Sequence, residues 1–105
     1  MSYGYIGTMR VKPGFTDQVL AIVLSGVHSL RDLGCEHFVV GVDPGDDTLI
    51  VVTEIWRDKE AHDASLRFPS AQAAIAQAMP MLTGAFTRQE VTIRGGLGVR
   101  DGQGG

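Results

Sequence analysis

Apolar and polar positions along this 105-residue chain change period several times, and each change marks an element. Tyr5, Ile6, Thr8, Met9 and Val11 lie within residues 3–12 with small glycines between them, which predicts a strand, and Pro13-Gly14 supplies the turn. Phe15, Val19, Ile22, Val23, Gly26, Val27, Leu30 and Leu33 then recur at three- and four-residue steps, leaving Asp17, Gln18 and Arg31 off the stripe. This periodicity predicts one amphipathic helix over 15–33. Asp17 in its first turn, Arg31 in its last and Gly34 as a left-handed cap agree with it.

Cys35 to Val42 is rich in β-branched and aromatic residues, residues 43–47 form a polar turn, and Thr48 to Arg57 resumes an apolar strand. These two strands make a hairpin. Asp58 can cap a helical segment over 59–67, and Pro69 can restart a helix after a bend. The continuation over 70–82 is expected to bury Ala71, Ala74, Ile75, Ala78 and Met79, with Pro80 distorting it and Gly84 closing it. Phe86, Val91 and Ile93 mark a last strand. Residues 95–105 contain six glycines and little to bury, so they read as a tail that is mobile unless a partner orders it.

The order strand, helix, strand, strand, helix, strand gives an α+β fold: a ferredoxin-like sandwich with an antiparallel four-stranded sheet, occupying residues 1–94 and followed by the glycine-rich tail. The third strand sharpens this picture. Leu49, Val51, Thr53 and Ile55 point to one face, and Ile50, Val52, Glu54 and Trp56 to the other, so both faces are largely apolar. Helices can cover only one of them. A homodimer through the other face is the simplest cover, since a two-fold contact uses the same patch twice. Folding the tail back over that face is the alternative, and its glycine content argues against it.

Composition narrows the partners. A net charge of −3 with no basic run gives no footprint for nucleic acid. No apolar stretch approaches the roughly 20 residues that span a bilayer, and Met1 to Tyr5 has no basic region followed by an apolar core. With Cys35 as its single cysteine and hence no internal disulfide, the chain is expected to be cytoplasmic. His28, His37 and His62 are too scattered to show metal spacing, and the glycines at 95, 96 and 98 open no helix that would make a phosphate loop.

The segment Glu54-Ile55-Trp56-Arg57-Asp58-Lys59-Glu60-Ala61-His62 combines a strand ending in Glu-x-Trp with a helix beginning near Lys-Glu-Ala-His, and Gly34-Cys35 opens a strand after a helix. In these features residues 3–94 resemble the antibiotic biosynthesis monooxygenase family of quinol monooxygenase-like proteins. The resemblance implies a dimeric α+β barrel. It also implies oxidation of a small phenol, quinol or polyketide aromatic by dioxygen, with neither metal nor bound cofactor. Such chemistry asks for an apolar pocket for a flat ring and a group that handles a phenolic proton.

Under that resemblance Trp56, with Phe38 and Glu54, would shape the substrate pocket, although a core tryptophan and a structurally paired glutamate are the bland alternatives. His62 or His37 would take the proton, against a solvent-facing helical histidine for the first and a satisfied core group for the second. Alternation places His37 on the same side as Cys35 and Val39. Arg88 would stabilise an oxyanion, where a surface ion pair is the commoner fate. Cys35 reads as a small buried hydrophobe. Two departures bear on activity: many relatives carry a histidine where this chain has Ser65, and the absence of any asparagine argues against the asparagine-tryptophan-histidine triad of the haem-degrading branch. A non-catalytic dimer that binds a small hydrophobic ligand, or a lyase or isomerase on the same scaffold, are the alternative functions.

Overall fold

Strand β3 (Asp46–Trp56) organises the molecule, because its alternating apolar residues are wanted on both faces. It lies between β2 (Cys35–Asp43) and β1 (Tyr3–Val11), and β4 (Leu82–Thr92) completes an antiparallel sheet in the order β2-β3-β1-β4. The computed structural model describes residues 1–99; of the tail expected to be mobile over 95–105, residues 100–105 lie outside the described residues. Helices α1 (Thr16–Leu24), α2 (Lys59–Ser65) and α3 (Pro69–Ala78) cover one face, so the α+β ferredoxin-like sandwich is the observed architecture. Among the described residues no helix is long and apolar enough to cross a membrane.

Helix 15–33 is not continuous. It stops at Leu24, Gly26 turns left-handed at φ 74°, and Val27–Leu33 continues as a 3-10 helix before Gly34 caps it at φ 105°. Ser25-Gly26 breaks the hydrogen-bond ladder where a residue with a Cβ would be strained. The second helical region breaks as expected at Phe68-Pro69, with Pro69 in the first turn of α3. Of the residues over 70–82 expected to be buried only Ala78 is; Ile75 in α3 and Met79 just beyond it remain about half exposed. Gly84 lies inside β4 rather than at a helix end, near the place where the β1–β4 ladder shifts register between Met9 and Val11.

Two corrections concern β2 and the tail. Cys35 pairs with Trp56 and His37 with Ile55, so a bulge at Glu36 turns Cys35 toward the helices and His37 toward the open face with Val39. Cys35 is buried and His37 exposed. Beyond β4 the chain does pass over one end of the open face. The Ile93 amide donates to the Ser2 carbonyl at 2.9 Å, and the Val91 and Ile93 side chains together fill the space a Cβ at Gly4 would need. Gly98 then places its carbonyl 2.6 Å from His37 Nε2 on the far edge strand.

Between sheet and helices lie two cores. Val11, Val19, Ile50 and Val52 form an aliphatic one, while Tyr3, Cys35, Trp56 and Ala61 form an aromatic one at the other end of the sheet. Phe38 packs against both.

Candidate functional site

Glu54 and Trp56 share the helix-covered face of β3, and the chain then turns through Arg57 into α2. The Asp58 carboxylate accepts the Ala61 amide at 2.7 Å and fixes the start of that short helix. As a result His62, one turn in, points back over the sheet and is buried rather than solvent-facing. Strand β1 places Tyr3 opposite Trp56 and Tyr5 opposite Glu54. Both tyrosine rings reach the imidazole: Tyr5 stacks on it at 5.0 Å, Tyr3 tilts against it at 5.1 Å, and Trp56 meets it edge-on at 5.8 Å.

The imidazole lies between two carboxylates. Nδ1 is 2.9 Å from Asp63 Oδ1, and Nε2 is 4.0 Å from Glu54 Oε1. Asp63 is held below the usual carboxylate range, chiefly by its bond to His62 and then by Lys59. An ionised carboxylate only accepts, so Nδ1 carries the hydrogen of that bond. Nε2 therefore faces Glu54 across a gap too wide for a direct hydrogen bond. Burial raises the Glu54 carboxyl above its ordinary value, opposed by the Trp56 Nε1–H donated at 2.8 Å and by the nearby His62. The pair thus combines a desolvated acid with an oriented base, the kind of arrangement that can hold or pass one proton.

At the outer end of the cluster the Tyr3 hydroxyl donates to Glu90 at 2.7 Å, and Lys59 bonds the same carboxylate at 2.8 Å while pairing with Asp63 at 3.4 Å. Burial, with Glu90 behind it, pushes the Tyr3 phenol up. An open depression of about 370 Å³ at this end is lined by Met1, Ser2, Tyr3, Lys59, Glu90 and Thr92.

Of the residues singled out by sequence, the structure brings Trp56, Glu54 and His62 together, with Phe38 packed against their core. Trp56 is 1% exposed, so its indole belongs to the interior and its visible task is to hold Glu54. His37 lies on the opposite face. Arg88 is on the edge strand β4 opposite Gly7, on the His62 side of the sheet, and it is exposed. Cys35 is buried with its thiol pushed up to about 11, chiefly by burial. Tyr3, Tyr5 and Asp63 were not singled out by sequence. The signal for the tyrosines was their two-residue spacing around Gly4 at the start of a strand, which puts both rings on one face. Among the described residues no group of three or more histidines, cysteines or carboxylates is arranged to hold a metal ion.

Residues 2–77 match the family model described as antibiotic biosynthesis monooxygenase. The chain belongs to the antibiotic biosynthesis monooxygenase family. A solved structure from Chloroflexus aurantiacus J-10-fl that carries the family's name is 41% identical, with 91% of this chain and 96% of that one covered at a TM-score of 0.83. A Nitrosomonas europaea structure under the same name is 15% identical, covering 91% of this chain and 90% of its own at a TM-score of 0.80. A conserved protein from Methanosarcina mazei Go1 is 14% identical, covering 87% and 91% at a TM-score of 0.71. These last two share the fold. No curated protein matches the sequence. The Ser65 hydroxyl is buried and donates to the His62 carbonyl at 2.6 Å. The serine thus fastens the turn of α2 that carries His62.

Proposed function

We propose that this chain is a monooxygenase that oxidises a small aromatic phenol or quinol with dioxygen and needs neither metal nor bound cofactor. The observation that carries the reading is the buried imidazole of His62, walled by Tyr3, Tyr5 and Trp56 and oriented between Asp63 and Glu54. In this reading His62 takes the phenolic proton, Asp63 steadies the resulting charge, and Phe38 and the tyrosines supply the apolar walls. The electron-rich phenolate then reduces dioxygen directly; one oxygen atom enters the ring, the other leaves as water with two hydrogens the ring gives up, and the ring ends at the quinone level, so the substrate supplies all four electrons. Arg88 stabilises negative oxygen as charge develops. His37, on the far face, takes no part.

The working unit is a homodimer in the cytoplasm. Its support is the open face of the sheet, where Val39 is 60% exposed and Ile6 37%. A second reading, ligand binding without turnover, is favoured by Ser65 in place of the histidine of many relatives. Oxygen uptake by chelator-treated protein over a panel of reduced naphthoquinols and anthrones separates the two. Uptake above the spontaneous rate that His62→Ala loses while remaining folded supports the oxygenase. Saturable binding of the same compounds without uptake supports the ligand-binding reading.

A further inference from the structure

Within the aromatic cluster the polar atoms are not equally engaged. The Tyr3 hydroxyl is bound to Glu90, Trp56 Nε1 to Glu54 and His62 Nδ1 to Asp63. Among the described residues the Tyr5 hydroxyl and the Arg88 guanidinium make no hydrogen bond or ion pair. No buried side-chain polar atom among them lacks a partner, so the Tyr5 hydroxyl reaches solvent.

These two groups converge on one spot. Gly7 lies two residues beyond Tyr5 on the same face and directly opposite Arg88 on β4. A Cβ at Gly7 would stand 2.8 Å from Tyr5 Cε1 and 3.4 Å from its hydroxyl, so the tyrosine ring leans along β1 over the glycine that faces Arg88. Side chains directly opposite on antiparallel strands start only about 5 Å apart, which brings the guanidinium within reach of that hydroxyl. Burial, then the charge of Glu54 and to a lesser degree that of Glu90, raise the Tyr5 phenol while Arg88 lowers it, and the net shift is upward, so the hydroxyl stays a donor at neutral pH. The neighbouring carboxylates Glu54 and Glu90 are already occupied by Trp56, Tyr3 and Lys59.

We propose that Tyr5 and Arg88 form the anion-recognition edge of the His62 site, binding the ionised oxygen of a planar aromatic whose ring lies against the Tyr5–His62 stack. The ligand class is therefore an aromatic phenolate or carboxylate rather than a neutral arene. The proposal rests on reading the His62 end as a ligand site, but it requires no turnover. A guanidinium and a hydroxyl together match an anionic oxygen in charge and in donors, and Gly7 keeps the approach clear.

The test is calorimetric titration of the full chain with 2-naphthoate, with 2,4-dinitro-1-naphtholate, and with neutral 2-naphthylmethanol, while the His62 ring resonances are followed by NMR. Either anion should bind saturably, move the His62 signals, and outbind the neutral alcohol. Arg88→Met should weaken the anion roughly tenfold or more, the scale of a lost charge-assisted hydrogen bond, and Tyr5→Phe a few-fold with stacking kept. Whichever anion binds more tightly identifies the carboxylate or the phenolate as the recognised oxygen. Equal binding of alcohol and anions, indifference to Arg88→Met, or no saturable binding of any probe overturns the assignment. Because oxygen uptake is read separately, failure of this site would remove Arg88 from the oxygenase reading but leave uptake and the role of His62 standing, and absence of uptake would leave the binding site standing.

Discussion

The two ends of the layer between sheet and helices are built to different rules. At one end Val11, Val19, Ile50 and Val52 interlock with no polar atom from a side chain among them. At the other, Tyr3, Trp56, Cys35 and Ala61 enclose a histidine and a glutamate. Both ends hang on the same strands, β1 and β3, six or so residues apart. The aliphatic end gains stability from every buried methylene, whereas the aromatic end must hold a desolvated carboxyl, which costs free energy unless donors offset it. The first is a fastening and the second the candidate site. The aliphatic end supplies burial without polar groups, and the aromatic end carries the titratable ones.

The sharpest way to break this contrast is at the aliphatic end. Ile50 is fully buried, and Ile50→Ala should cost about 2–5 kcal/mol by urea unfolding while leaving the His62 resonances of the folded protein in place. Movement of those resonances would show the two ends to be coupled rather than separate.

At the aromatic end Trp56→Phe keeps most of the ring but removes the donor to Glu54, at a cost of about 1–3 kcal/mol. That bond favours the ionised carboxyl, so the loss should be largest at neutral pH and shrink as acid protonates Glu54. A loss independent of pH would mean that packing, not the hydrogen bond, is what the indole contributes. Next in size, Asp58→Ala removes the cap of α2 and should cost about 1 kcal/mol, measured by thermal unfolding, and should broaden the His62 signals because the cap sets where that side chain points.

The smallest effect is the slope of stability with pH. Folding raises the Glu54 carboxyl above its ordinary value of 4.5, so the folded state keeps a proton that the unfolded state has lost. Wild-type stability from this group is therefore greatest below 4.5 and falls as pH rises toward the raised value. Glu54→Gln, which keeps an acceptor for Trp56, should flatten that part of the profile and stand slightly above wild type at neutral pH. An unchanged slope would remove Glu54 as the titrating group.

Local chemistry was enough to read the β2–β3 hairpin, the Asp58 cap, the restart at Pro69 and the two-faced β3, because each depends on residues within a few positions of one another. The same locality placed Glu54 and Trp56 on one face with His62 a turn beyond. Period alone ran through Ser25-Gly26, although that pair carried the signal for the break in the first helix. What sequence could not supply were relations between distant segments. The bulge at Glu36 that sends His37 to the open face is set by pairing with β3. The two tyrosines become partners of His62 only because β1 is the neighbour of β3, and Arg88 meets Gly7 only because β4 closes the other side of β1. Periodicity determines which face of a strand a side chain takes; which strand lies beside it is decided by the long-range pairing that folding completes, and the site is made at those junctions.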